Sequence, residues 1–459
     1  MRFQQAVAEY PSLKTIYSQM ELQTSMGRKL LTDTEFSHSS AWIKRQWEQM
    51  EECMAFRKAQ NEQSLHHFLC LMGEICDISG TISLIEQGET ADDVGLFELK
   101  VFCINIKNVG KLFASSLMPL PDLQEVINIL DPEKLELPRF YIYSAYSKEL
   151  EEKRKEWEKA KEKDDQEASR KLYCECLDLE DKVRVEICNR IRPLIPKIKQ
   201  AMENIAQTDV AFAKAVLAEE LHLNKVSIDE TAEIKYRNMF HPVVKRLMTK
   251  SGRRYQDIDV QVDERVLLIT GANMAGKTMI LKALALNQLL LQYGFFLACE
   301  SGEVCLVESV QCSIGDGQNE EQGLSSFAWE IKTLDNIIKT MRQGGRHLVL
   351  VDELARTTNP IEGKKLVEGF IKVCSEQSSL AVVTTHYSNI QAPCRNMRVK
   401  GFMHQDLTPP IDIDRISDHI DYSLIESDNR QVPTEALNLC RLLAVDDDWI
   451  RYSEDRYGI

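Results

Sequence analysis

The sequence predicts an α/β chain in which a largely helical N-terminal half precedes a mainly parallel sheet covered on both faces. Two observations carry this. Across residues 1–235, Gly and Pro are sparse and apolar residues recur at spacings of three and four. From about residue 255, short β-rich runs alternate with helical stretches, and those runs are continuously apolar rather than alternating. The 459 residues allow two or three domains. With 44% hydrophobic and 28% charged residues, the composition is that of an ordinary globular protein, which excludes disordered, collagenous and membrane classes.

Within the helical half, Leu69–Phe113 reads as helices joined by tight connections, with breaks at Gly80, Gly88 and Gly95. Residues 148–171 carry 9 basic and 9 acidic side chains with the signs interleaved. Glu149–Lys153, Glu151–Lys155 and Glu167–Lys171 are i,i+4 pairs in the favourable order. This is a long helix with a wet face, breaking near Asp164-Asp165. An apolar stripe then returns through Leu172, Leu179, Val183, Ile187, Ile191, Ile195, Ile198 and Met202. Two antiparallel helices over about 146–206, projecting from a body, account for both patterns. Three strands follow in the second half: VLLIT (266–270), HLVLVDE (347–353) and LAVVTTH (380–386).

The net charge is −15 and the pI near 5.3, so the overall field repels a phosphate backbone. Any nucleic-acid contact needs a local basic patch, for which Lys250, Arg253 and Arg254, or Arg190 and Arg192, are the candidates. The 13 cysteines form no CxxC pair, and Cys174-Glu175-Cys176 lacks the histidines of a metal site. Reduced thiols in a cytoplasmic protein are expected. The N-terminus lacks the apolar core of a secretory signal, and no stretch approaches the roughly 18 apolar residues of a membrane span.

Four motifs carry chemistry. Gly271-Ala272-Asn273-Met274-Ala275-Gly276-Lys277-Thr278 fits G-x-x-x-x-G-K-[ST] and follows a strand. Its glycines let backbone N–H groups turn inward around phosphates, and the next helix adds its positive N-terminal end. Lys277 then reaches the β- and γ-phosphates, and Thr278 offers its hydroxyl to Mg²⁺. Downstream, strand 347–351 delivers Asp352 and Glu353 at its C-terminal end, where ligands of open α/β sheets sit. Asp352 suits Mg²⁺; Glu353 suits orientation of an attacking water. Thr384-Thr385-His386-Tyr387 ends another strand and places a histidine to sense the γ-phosphate. Gly323-Leu324-Ser325-Ser326-Phe327-Ala328-Trp329-Glu330 reads either as an anion-binding helix start or as a plain N-cap with Glu330 one turn later.

The order of these elements resembles the ATPase domain of the MutS family, an ABC-like P-loop architecture. The resemblance rests on TGANMAGKT (270–278), GLSSFAWEI (323–331), LVLVDELARTT (348–358) and TTHY (384–387), with FHPVV (240–244) and YQDIDV (255–260) upstream. It implies a helical core and lever-arm pair over 1–235, an ATPase domain over 236–400 and a helical dimerisation element over 401–459. It further implies a dimer, of identical or related subunits, with two composite ATP·Mg²⁺ sites. Ser325 would reach the partner's γ-phosphate in trans, Asn273 would lie against the nucleotide, and Tyr255 would stack on adenine. The family's glycines are replaced by Ala355 and Thr357, and its usual Asp by Glu362. Counterparts of the family's mismatch-reading and DNA-clamp domains are not expected within these residues. The expected activity is ATP hydrolysis that switches a dimeric clamp. Its client is DNA, as in the family, or a protein, as in the MutS-related reactivating factors of adenosylcobalamin-dependent lysine 5,6-aminomutase. A nucleotide sensor without turnover is disfavoured by the intact Glu353.

Overall fold

A computed structural model describes residues 1–229, 233–263, 265–271, 276–315, 326–356, 358–403, 416, 418–428 and 435–455. Its described strands are β1 (Ser227–Ile228), β2 (Ile234–Met239), β3 (Ile258–Val262), β4 (Val266–Thr270), β5 (Ser301–Val304), β6 (Ser309–Ser313), β7 (His347–Val351), β8 (Leu380–Thr385), β9 (Arg395–Phe402) and β10 (Ile420–Glu426). They form two sheets. A four-stranded sheet runs β1-β5-β2-β3, and a six-stranded one runs β10-β9-β4-β8-β7-β6. In the larger sheet all neighbours are parallel except β10, which returns antiparallel to β9.

β4, β7 and β8 are buried along their whole length, which explains their unbroken apolar sequences. Successive side chains point to opposite faces. Leu267, Ile269, Leu348, Leu350 and Val382 face the core shared with helix Lys277–Gln292 and the N-terminal helices. Val266, Leu268, Val349, Val351 and Val383 face a second core under helices Ser326–Arg342 and Pro360–Ser375. The sheet is thus covered on both faces, as its sequence requires.

The helical half is continuous with the first of these cores. Phe3 packs edge-on against Tyr293 at 5.0 Å, and the Trp47 indole N–H donates to the Phe295 carbonyl at 2.8 Å. Helices Lys148–Glu162 and Gln166–Ile191 form the antiparallel pair, turning at residues 163–165 as expected from Asp164-Asp165. The Arg154 guanidinium meets Glu180 across them at 2.6 Å, and Trp157 lies against Tyr173 at 5.4 Å. A short 3₁₀ turn at Arg192–Leu194 leads into helix Ile195–Leu221, which returns to the body.

Three details differ from the sequence reading. Gly80 and Gly95 sit inside the first turns of helices Ser79–Gln87 and Asp93–Leu112, and of the three glycines Gly88 alone ends a helix. The four-stranded sheet begins at β1, ahead of the expected boundary at 235/236. The C-terminal segment expected to be helical contributes β10 to the main sheet before helices Glu435–Leu442 and Asp447–Asp455. Local pattern could not assign β10, because a strand at a sheet edge is defined by its distant partner. Among the described residues, no helix is long and apolar enough to cross a membrane.

Candidate nucleotide site

β4 ends at Thr270, and the chain turns through Gly271 before helix Lys277–Gln292 begins. Gly276, at φ +74°, precedes that helix, and a Cβ there would strike the Tyr422 ring at 2.8 Å. Glycine is therefore required by both conformation and space. Ala272, Asn273, Met274 and Ala275 lie outside the described residues, as does Ser325.

The remaining motif residues converge at the C-terminal ends of β4, β7 and β8. The buried Lys277 ammonium donates to the Gly271 carbonyl at 2.6 Å and lies 3.3 Å from Glu353 Oε1. The Thr278 hydroxyl donates to Asp352 Oδ2 at 2.6 Å. The buried Thr384 hydroxyl donates to Asp352 Oδ1 at 2.6 Å and accepts the Glu353 N–H at 2.9 Å. One hydroxyl thus orients both acidic residues. Sequence alone assigns Thr384 no task, since only strand adjacency reveals one. Arg356 reaches Glu353 Oε2 at 3.5 Å.

His386 is half-buried beside this group. Burial lowers its pKa; Glu353 opposes that shift, while Lys277 and Arg356 add to it. The resulting neutral imidazole can donate one hydrogen bond and accept another. Thr278 and Asp352 present adjoining oxygens, a donor set suited to a hard cation that keeps water and phosphate as its other ligands. Among the described residues there is no cluster of three His, Cys, Asp or Glu able to hold a metal ion alone.

Beside Gly276 lies a cleft of about 160 Å³ whose walls include Met239, Tyr255, Ile258, Met279 and Tyr422. Tyr255 is fixed by its hydroxyl, which accepts the His241 N–H at 2.8 Å, and burial pushes its phenol up to about 12. Gln256 joins the two walls. Its side-chain amide donates to Asp421 Oδ1 and Ser423 Oγ and accepts from the Tyr422 N–H at 3.1 Å. The sequence places Tyr255 near the phosphate loop, but Tyr422 has no local signal.

Residues 267–412 match the family model described as MutS domain V. The chain is 32% identical over 212 residues to a protein named Endonuclease MutS2 from Caldicellulosiruptor bescii, covering 46% of this chain and 26% of that protein. It is 33% identical over 195 residues to one of the same name from Thermus thermophilus, covering 42% and 25%. Residues 267–412 belong to the MutS family. These alignments span about a quarter of each relative's length, so they bear on a shared segment rather than on the relatives' whole activity. The MutS domain V match begins within β4 and takes in Lys277, the paired acids and His386.

Proposed function

We propose that this MutS-family chain binds ATP with Mg²⁺ and hydrolyses it. The observation that carries the reading is the meeting of Lys277, Thr278, Asp352, Glu353 and His386 at the C-terminal ends of three adjacent parallel strands. Phosphates would lie over the N-terminus of helix Lys277–Gln292, whose backbone N–H groups and macrodipole favour negative charge. Lys277 would neutralise the β- and γ-phosphates. Mg²⁺, held by Thr278 and Asp352, would supply charge stabilisation on the phosphate oxygens. Glu353 would hold the attacking water in line, and the neutral His386 would donate to the γ-phosphate. The adenine base would enter the cleft between Tyr255 and Tyr422, with Arg254 and Gln256 at its rim.

Lys277→Ala is expected to weaken ATP binding by about 100-fold or more, as loss of a buried charge-assisted contact requires. Glu353→Gln is expected to keep binding but slow hydrolysis by about 10²–10⁴-fold, the usual span for one acid–base group. Calorimetry with ATP and a phosphate-release assay measure both. ATP affinity unchanged in Lys277→Ala would overturn the reading.

We further propose that the chain works as a dimer, with Ser325 completing the partner's site in trans. Exposed Trp449 and Tyr452 on helix Asp447–Asp455 suit a contact between copies. ATP would drive the arms of this dimer. For the client, the MutS2 relatives favour DNA. The balanced charges of residues 148–171 and the net charge of −15 favour a protein, such as an inactivated cobalamin-dependent aminomutase. Lys250, Arg253 and Arg254 are all exposed, on or just after helix Pro242–Lys250, and are the basic residues such a contact would use. Fluorescence anisotropy with paired, mismatched and branched duplexes separates the two. Tight, salt-sensitive binding abolished by substituting those three residues would assign DNA.

A further inference from the structure

Strand β7 ends at Val351, and the chain immediately enters a turn in which two non-glycine residues adopt left-handed backbone angles: Glu353 at φ 46° and Ala355 at φ 61°. Side chains disfavour this region, so such a turn persists only where its surroundings hold it. Ala355 is fully buried, and both polar groups flanking its Cα are taken. Its N–H donates to Glu330 Oε1 at 2.9 Å, and its carbonyl accepts from the Tyr387 hydroxyl at 2.8 Å. Tyr387 gets close enough because residue 363 is glycine: a Cβ there would collide with the Tyr387 hydroxyl and stand 3.1 Å from the Ala355 carbonyl oxygen. Four elements therefore meet at one residue: helix Ser326–Arg342 through Glu330, the loop after β7, the segment after β8, and helix Pro360–Ser375.

Glu330 was open to a reading as a helix-start residue that would serve its own first turn. Its carboxylate instead reaches 25 positions along the chain to another element. It is half-buried, burial pushes its carboxyl up from the ordinary value, and the Ala355 N–H and nearby Arg356 partly offset this. A carboxylate held in so unfavourable a place for one backbone N–H is costly unless that N–H must be fixed.

We propose that Glu330 is a positioning residue for hydrolysis: by fixing the Ala355 peptide it holds the left-handed turn that aims the Glu353 carboxylate. This rests on the ATPase reading above. Helix Ser326–Arg342 thereby sets the hydrolytic group of its own subunit, and any shift of that helix retunes hydrolysis without touching the phosphate cradle of Lys277 and Thr278. Tyr387 is the second tie to the same residue, through the next peptide group.

The experiment is a set of substitutions in the full chain, read by ATP binding and by steady-state phosphate release. Glu330→Ala is expected to lower kcat by about tenfold or more, as an ångström-scale misplacement does, while the ATP dissociation constant stays within about twofold. Glu330→Gln keeps an acceptor oxygen at the same place and is expected to restore most of the rate. Tyr387→Phe is expected to lower kcat in the same direction by less. Because Glu330 acts through Glu353, adding Glu330→Ala to Glu353→Gln should leave the residual rate unchanged. The proposal is overturned if Glu330→Ala slows the Glu353→Gln protein by the same factor as wild type, or if it weakens ATP binding with kcat unchanged. Should Glu330→Ala fail to fold, the same cycle with Tyr387→Phe decides, and equal factors there overturn it as well. A wild-type chain that turns over ATP at a rate Glu330→Ala leaves unchanged overturns the positioning role alone; one that shows no turnover, or binds no ATP, removes the ATPase reading and this role together.

Discussion

Helix Lys277–Gln292 and arm helix Lys148–Glu162 are almost equal in length, 16 and 15 residues, yet their surroundings are opposite. The first is buried on nearly every side, between the main sheet and the N-terminal helices; the second buries Leu150 alone. The buried helix carries three amides in its last turns, each hydrogen-bonded beyond its own turn, although Gln288 Oε1 has no partner among the described residues. Asn287 accepts the Ala298 N–H at 2.7 Å, Gln288 donates to the Cys305 carbonyl at 3.1 Å, and Gln292 donates to the carbonyls of Ser37 and Val307. Just past its end, the buried Lys214 ammonium donates to the Tyr293 carbonyl at 2.7 Å, and burial alone pushes that amine down to about 7. The arm helix relies on ion pairs in water, such as Glu151–Lys155. A helix that carries phosphate chemistry at one end is thus anchored to the helical body at the other, while the arm is held through its base.

The comparison breaks most severely at that base. Lys100 and Asp131 form a buried ion pair at 3.0 Å, and the same ammonium donates to the Arg139 carbonyl at 3.0 Å. Asp131 also accepts the Glu136 N–H at 2.6 Å. Asp131→Ala leaves a buried, unpaired lysine, and a loss of about 3–5 kcal/mol of stability is expected from urea unfolding. Removing both charges, as Lys100→Met with Asp131→Leu, should recover much of that loss. A small effect of the single change would mean that the arm base is wetter than its geometry implies.

Acid sharpens the comparison from the other side. His241 is buried, and burial pushes its imidazole down to about 4 from an ordinary 6.5. Its Nδ1 accepts the Val244 N–H, so Nε2 carries the proton and donates to Ser12 Oγ at 2.9 Å. Between those two values the unfolded chain binds the proton and the folded chain does not. Stability from this group is therefore complete above pH 6.5 and is lost as pH falls toward 4, by about 3 kcal/mol at most. Melting measured from pH 7 to 4 should show this slope, and His241→Asn should flatten it. An unchanged slope in the variant would refute the assignment. The smallest effect belongs to the arm surface: Lys155→Ala removes an exposed i,i+4 pair and should barely move the urea midpoint, and less still in high salt.

The groups that act on phosphate could be read from the chain because each is a local pattern. A phosphate cradle needs glycines, a lysine and a hydroxyl within eight positions, and a parallel strand buried on both faces needs an unbroken apolar run. The turn at Asp164-Asp165 and the arm stripe were legible for the same reason. Tertiary structure alone decided the rest. It brought Tyr422 of β10 over Gly276, used Gln256 to join both walls of the cleft, gave Thr384 its two acidic partners, and sent Glu330 to Ala355. These contacts join residues far apart in sequence that follow no shared period. They exist because strands paired side by side bring their C-terminal ends together, and that pairing is settled by packing across the whole core rather than by any segment alone.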